Sequence, residues 1–446
     1  MTTARAQSGA SATIITLALA LLGPGCAREM AHEEAWIVDC TVDVDRAWIL
    51  AATPDGKRGA FMLFPGVCLA DLETGEVLYR HDTTCYRGDV EVSPCSRWVV
   101  ANPSRDPGEP RGDKTPFVLD ARTGKRLYDL DEDGDLFKAA FSADGSRLFT
   151  SHAPDQAWIR DAATGAKLVR VPVDARLVFQ AEFSPDGRFL VTGMRGMPSL
   201  WDAATAAKLA TFDIEGGSVF VHFSHDGGSV LVGDKAGNGK VHFFSASPPH
   251  QRLRTVDCAA YSLPALIFCT VSPDRSLMAM AEASDTVTVR ETGSGNVTSV
   301  ISVKPDAGGF RFMSADLMLT RSGRYGSPSS TCDAWNPRTG THLYALEGRD
   351  PAHCSPGPSC ARLFDNNDPD DRIRIRDGGS GEVVFTVPNI DRFLPLGDGR
   401  LLVVVDAINT ARPIVVLRAT HVPAPPDGQP AVTLPWETPE PGLEMQ

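Results

Sequence analysis

Two short motifs recur at one shared period along this chain, and that double repeat constrains its fold more than any other feature. The first is an apolar residue followed by Ser-x-Asp-Gly, as in Phe141-Ser-Ala-Asp144-Gly145, Phe183-Ser-Pro-Asp186-Gly187 and Phe223-Ser-His-Asp226-Gly227. Weaker copies surround Asp55, Cys95, Asp274, Asp316, Gly357 and Asp398, so that successive copies lie 40 to 49 residues apart. The second motif, Asp-x-x-Thr-Gly, follows most of these at Asp71, Asp120, Asp161, Asp202, Glu291, Asn336 and Asp377. Interlocked motifs with one period mark a chain assembled from one supersecondary unit repeated side by side.

Between the motifs the pattern is that of strands. Thr286-Val-Thr-Val-Arg290 and Arg372-Ile-Arg-Ile-Arg376 alternate apolar and polar residues, the period of a strand buried on one face. Leu401-Leu-Val-Val-Val405 and Pro413-Ile-Val-Val-Leu417 are continuous and read as strands buried on both faces. No stretch of helical period occurs within the repeat. Asp-Gly suits a tight hairpin, since Gly adopts positive φ freely and Asp bonds its own backbone. In Asp-x-x-Thr-Gly the Asp and Thr side chains cap turn amides and Gly takes the left-handed position. Each unit therefore reads as four short antiparallel strands in about 42 residues, the blade of a β-propeller.

The blocks Phe183-Ser-Pro-Asp-Gly-Arg-Phe-Leu-Val-Thr-Gly193 and Ser199-Leu-Trp201-Asp202-Ala-Ala-Thr205 resemble the WD40 family, and the resemblance extends from about Trp36 to Leu417. It implies an all-β chain forming a single propeller, and a role as a binding platform. The Trp-Asp pair stands once in its family position and the Gly-His dipeptide is absent, so the family's His-to-Asp network is not carried over. Nine candidate units are present, and eight blades are expected, with seven and nine the alternatives, because propellers typically have four to eight. Ala35-Trp-Ile-Val38 precedes the first unit and is expected to supply the outer strand of the last blade, closing the ring. The propeller is placed at residues 35–420. Residues 421–446, with Pro423, Pro425, Pro426, Pro430, Pro435, Pro439 and Pro441, read as a disordered tail.

The N-terminus reads as an address. Arg5 and the ten-residue apolar run Thr13–Leu22 describe an export signal over residues 1–25. A ten-residue helix rises only about 15 Å, half of a bilayer core of about 30 Å. Leu21-Leu22-Gly23-Pro24-Gly25-Cys26 resembles the lipobox of bacterial lipoproteins, which implies that Cys26 is diacylated and that residues 26–34 tether the propeller. Ala27 would, by that family's sorting habit, direct it to the outer membrane; a plainly cleaved signal, with the protein in the periplasm, is the alternative. In an oxidising compartment the remaining cysteines suggest the local disulfides Cys85–Cys95, Cys258–Cys269 and Cys354–Cys360, against buried thiols as the simpler reading. Cys40, Cys68 and Cys332 have no local mate.

Charge excludes some partners. With 43 basic and 56 acidic residues the chain carries −13, which disfavours nucleic acid and anionic membrane surfaces. Membrane contact is therefore expected only through the lipid anchor, and a monomer with a protein partner is the expectation. No cofactor is expected either. The alternating carboxylates Asp129, Asp131, Asp133 and Asp135 around Gly134 suggest a Ca²⁺ loop, but Ala140 stands where a closing Glu would be, and a solvated acidic loop is the simpler reading. Arg111-Gly112-Asp113 lies in a Pro-rich insertion that explains it without an adhesive role. There is no Gly-x-Ser-x-Gly, His-Glu-x-x-His or P-loop motif. The expected function is a non-catalytic protein-interaction scaffold. The alternative is a periplasmic propeller enzyme, or a carbohydrate-binding propeller, with its site at the central channel.

Overall fold

Each Ser-x-Asp-Gly segment closes a hairpin through its own side chains. In the computed structural model, Ser142 Oγ donates to Asp144 Oδ1 at 2.6 Å, the same oxygen accepts the Ser146 N–H at 3.0 Å, and Gly145 adopts φ 68°. The same Ser-to-Asp bond of 2.6 Å recurs at Ser184–Asp186, Ser224–Asp226 and Ser272–Asp274. The Asp-x-x-Thr-Gly turns are equally self-contained. Asp161 Oδ1 accepts both the backbone N–H and the hydroxyl of Thr164 at 2.8 Å, and Gly165 takes φ 74°. The described residues run from 34 to 421 except for short segments, the longest being 104–114, 258–268, 323–330, 366–372 and 406–413.

These carboxylates couple the fold to pH. The hydroxyls of Ser142, Thr164, Thr205 and Ser224 hold the carboxyls of Asp144, Asp161, Asp202 and Asp226, respectively, below the usual range. Because the folded value lies below the unfolded one, the contribution is fully present above the unfolded pKa of about 4. It is lost as pH falls through the folded values. The urea midpoint is therefore expected to hold near neutral pH and to fall steadily below about pH 4; a midpoint flat down to pH 2 would contradict this account.

The hairpins build nine four-stranded antiparallel sheets among the described residues. Eight occupy consecutive stretches, residues 49–81, 88–129, 136–170, 178–211, 218–257, 269–302, 307–347 and 354–387, here blades 1 to 8, with strands in chain order from inside to outside. Blade 9 comprises Ile390–Pro395, Leu401–Val405 and Ile414–His421, and its fourth, outer strand is the N-terminal strand Glu34–Val42. Nine sheets among the described residues lie within the expected range of about eight, seven to nine, at its upper end. The degenerate units around Asp55, Cys95 and Asp398 all form sheets, and the N-terminal strand completes the ninth. Ala35-Trp-Ile-Val38 takes the place expected of it, pairing antiparallel with Leu417–Thr420.

First strands touch between blades 1 and 2, 3 and 4, 4 and 5, 6 and 7, and 8 and 9, and Ile49–Ala52 of blade 1 meets Ile390–Pro395 of blade 9. The core lies between blades rather than inside them. Phe149 and Ile159 of blade 3 pack with Phe183, Leu190 and Trp201 of blade 4, and Val191 and Leu200 of blade 4 pack with Val221, Phe223 and Val230 of blade 5. This sandwiching buries middle strands on both faces. It holds for Leu401, Leu402 and Ile414–Leu417 as expected, but also for Thr286–Glu291, where Thr288 is only 5 % exposed. Alternation there had suggested one wet face; the adjoining blade covers it.

Polar latches accompany the packing. Trp98 Nε1 donates to Gly145 O at 2.9 Å, Tyr128 Oη to Ala162 O at 2.7 Å, and Tyr344 Oη to Gly378 O at 3.0 Å, each reaching a turn of the next blade. At the ring's seam the buried Arg400 donates to Asp39 Oδ2 on the N-terminal strand at 3.0 Å and to Gly56 O of blade 1 at 2.9 Å. It also donates to Leu72 O. Around it, Val42, Leu402 and Val416 of blade 9 pack with Phe61, Cys68 and Leu72 of blade 1.

Candidate functional site

The inner strand of each blade has one edge unpaired by its own sheet, and side chains from the preceding blade can satisfy it. In blades 4 and 5 this happens at two positions. Gln180 Oε1 accepts the Val221 N–H at 2.7 Å, and Glu182 Oε1 accepts the Phe223 N–H at 3.0 Å. Both inner strands carry a bulge just upstream, between Val178 and Gln180 and between Ser218 and Phe220. A bulge re-aims the side chains that follow it. Here it precedes Gln180, Glu182, Phe220 and His222.

Glu182 gathers two further groups. His222 Nδ1 lies 2.8 Å from Glu182 Oε2, and because an ionised carboxylate only accepts, that nitrogen carries the proton. Arg275 of blade 6 reaches back across two blades to pair with Glu182 Oε1. The carboxylate is mostly buried, whereas His222 and Arg275 are both more than a third exposed. Phe220 stacks on His222, with ring centroids 5.8 Å apart and an interplanar angle of 23°. The ring lies flat because Gly233 stands beneath it; a Cβ there would sit 2.2 Å from Phe220 Cε1.

Arg275 occupies an unusual backbone position. It has φ 61°, in the turn place that Gly56, Gly145, Gly187 and Gly227 fill in blades 1, 3, 4 and 5. A non-glycine residue in the left-handed region is disfavoured by roughly 1–2 kcal/mol. The turn holds it by Arg275 N–H to Ser272 O at 2.8 Å, by Thr292 Oγ1 donating to Arg275 O, and by the His225 ring bonded to Asp274 O at 2.7 Å. Beside it opens a cavity of about 270 Å³ lined by Phe220, His222, Cys269, Thr270, Val271, Ser272, Pro273 and Arg275. Glu182 stands behind His222 and Arg275. The wall therefore offers nitrogen donors beside apolar carbon.

None of these three charged residues was singled out as a site from the sequence. The available signal was Val271-Ser-Pro-Asp274 followed by Arg275 where sister copies have Gly. Of the residues that were singled out, Cys26, Cys85, Cys258, Cys360, Asp131, Asp133, Asp135 and the Arg111-Gly112-Asp113 triplet lie outside the described residues. Asp129 is described, and its carboxylate is held by Arg126 Nε at 2.6 Å. Among the described residues no cluster of three or more His, Cys, Asp or Glu could hold a metal ion. Cys354 lies on the inner strand of blade 8, and Cys269 lines the cavity. Cys95 stands at the Asp position of the blade 2 turn, its sulfur 3.4 Å from Ser93 Oγ. Burial pushes the Cys68 thiol up to about 12 and the Cys40 thiol to about 11; Cys40 Sγ also donates to Leu72 O at 3.2 Å. Thiolate is the reactive form, so both are expected to resist iodoacetamide at pH 8 in the folded protein and react once it is unfolded in urea. Rapid native alkylation of either would contradict their burial.

No family model and no curated protein matches the sequence. Solved structures do match in shape. A eukaryotic initiation factor aligns with TM-score 0.62 at 12% identity, over 79% of this chain and 93% of that one. BamB from Moraxella catarrhalis aligns with TM-score 0.47 at 13% identity, over 74% of this chain and 96% of that one. At such identities likeness bears on fold alone, and the first of these supports the β-propeller that the nine sheets form.

Proposed function

We propose that the protein is a non-catalytic protein-interaction scaffold held at the bacterial cell envelope. The observation that carries this reading is a succession of exposed apolar side chains on the outer strands of four consecutive blades. They are Leu253 on blade 5, Val297 and Val300 on blade 6, Leu343 on blade 7 and Val383 on blade 8. Recurrence on a rigid rim gives a partner several footholds, and a rim of this kind suits protein contact better than small-molecule chemistry. The net charge of −13 favours basic or neutral partners. In this reading the protein is a monomer, requires no cofactor, and is tethered by a lipid on Cys26 through residues 26–34. Cys95 and Cys269 stand as thiols in the structure, so the expected disulfides Cys85–Cys95 and Cys258–Cys269 are not part of this reading.

Proximity labelling in the native cell should give a reproducible set of protein neighbours for the wild type. Val297→Glu with Val300→Glu, both on the exposed face, should deplete that set while leaving the urea midpoint in place. No reproducible neighbour for the wild type would overturn the scaffold. Labelling with a fatty-acid analogue should mark the wild type and not Cys26→Ser; equal labelling of both, or of neither, removes the anchor. The cavity beside His222 and Arg275 favours a second reading, a channel-sited enzyme or carbohydrate-binding propeller. Saturable binding or turnover of an oligosaccharide, lost with Arg275, would select it.

A further inference from the structure

We propose that the cavity between blades 5 and 6 is a binding site for a single carboxylate carried on a short apolar stem, held by Arg275 and His222. Three independent observations converge on it. Arg275 occupies a left-handed turn position that blades 1, 3, 4 and 5 give to Gly and blade 2 to Ser96 at φ 60°, so a long cationic side chain stands where the backbone disfavours any side chain. Backbone strain of this kind persists where the surroundings over-determine it and clusters at ligand clamps. Among the described residues its side chain is anchored through one nitrogen, Nη1 on Glu182, with the guanidinium still partly exposed at the cavity wall. A guanidinium presents a planar fork that matches a carboxylate, so donors beyond the anchored one remain for a ligand.

His222 supplies a second polar edge. Its Nδ1–H is committed to Glu182, which orients the ring on the cavity wall; the other nitrogen, Nε2, donates to a ligand when the ring is an imidazolium and accepts when it is neutral. Glu182 is thereby a positioning residue for both side chains. With His222 as the imidazolium, Arg275, His222 and Glu182 sum to one positive charge, so the pocket then suits one carboxylate better than a polyanion. The rest of the wall is apolar, formed by Phe220, Cys269, Val271 and Pro273, and takes the stem. A cavity of about 270 Å³ accommodates a group the size of a leucine side chain with its carboxylate. Two sources carry this chemistry: the C-terminal residue of a peptide, and a free short-chain carboxylic acid. The proposal deepens the interaction reading above, because a peptide C-terminus would join this pocket to a protein partner.

The test uses the full folded chain and two pairs of probes. Acetyl-Ala-Leu with a free C-terminus is compared with its C-terminal amide, and hexanoate with hexanol, by isothermal titration calorimetry or ligand-observed NMR. At least one free acid should bind saturably to the wild type, with its neutral counterpart at least tenfold weaker. Arg275→Gly restores the sister-turn residue and relieves the backbone, so it should keep the urea midpoint while weakening the acid at least tenfold. His222→Gln should weaken it as well. Binding of the peptide acid assigns the site to a C-terminus; binding of hexanoate alone assigns it to a free acid and leaves the rim reading to stand or fall by its own labelling experiment. Absence of saturable binding for both acids, or binding unchanged in Arg275→Gly, overturns the site.

Discussion

Replacing Arg400 by Met is expected to lower the unfolding free energy by about 3–5 kcal/mol, the range for breaking a buried, hydrogen-bonded ion pair from one side. The guanidinium is only 7 % exposed as a residue and serves three acceptors from three stretches of chain: Asp39, Gly56 and Leu72. Met retains the stem and its packing but leaves the Asp39 carboxylate with Arg418 Nε at 3.2 Å, the Gly56 carbonyl without its arginine donor and the Leu72 carbonyl with the weak Cys40 thiol donor. Since Asp39 is on the N-terminal strand and Gly56 and Leu72 are on blade 1, the loss falls on the seam. The variant should therefore release its N-terminal strand early in limited proteolysis, before the blades are cut. A change under about 1 kcal/mol would show that Phe61, Leu402 and Val416 close the ring without it.

Trp201→Ala should cost about 3–5 kcal/mol by urea unfolding, as for other fully buried large aromatics. The side chain is 1 % exposed, packs between blades 3 and 4, and donates from Nε1 to Thr192 Oγ1 at 3.0 Å. Blade 3 solves the same position with Arg160, which donates to Thr150 Oγ1 at 3.0 Å and to Gly165 O at 3.2 Å. Blade 7 returns to a tryptophan, Trp335, with Thr320 as acceptor at 2.9 Å. Blades 3, 4 and 7 fill the position with a long planar side chain that carries an N–H, whereas Ala70, Leu119 and Phe244 fill it in blades 1, 2 and 5, so indole as such is not needed. Trp201→Arg should therefore lose less than half of what Trp201→Ala loses, with Thr192 still bonded. Equal losses would show that apolar volume alone matters there.

That interchange explains why the single Trp201-Asp202 pair understated the repeat. Arg160, Arg290 and Arg376 stand in the same column and donate to the carbonyls of Gly165, Gly295 and Gly381, respectively. In a linear pattern they read as polar residues facing water. Thr288 was misread for the same reason, since alternation reports the two faces of a strand but not what a neighbouring sheet lays against them.

The sequence by itself determined the turns, the strands and so the architecture. Those features depend on groups within about five residues of one another, such as Ser142 with Asp144 or Asp161 with Thr164, and the period of 40 to 49 residues repeats them. Only the tertiary structure decided how many sheets stand in the ring and what its channel presents. Blade number follows from the angle at which successive sheets stack, and the ninth sheet is completed by residues 34–42, which return to 414–421 from the far end of the chain. Glu182, His222 and Arg275 come from three blades, the first and last 93 positions apart. Their meeting has no local partner term to betray it; it is fixed by inter-blade packing, which joins residues by their place on the ring rather than in the chain.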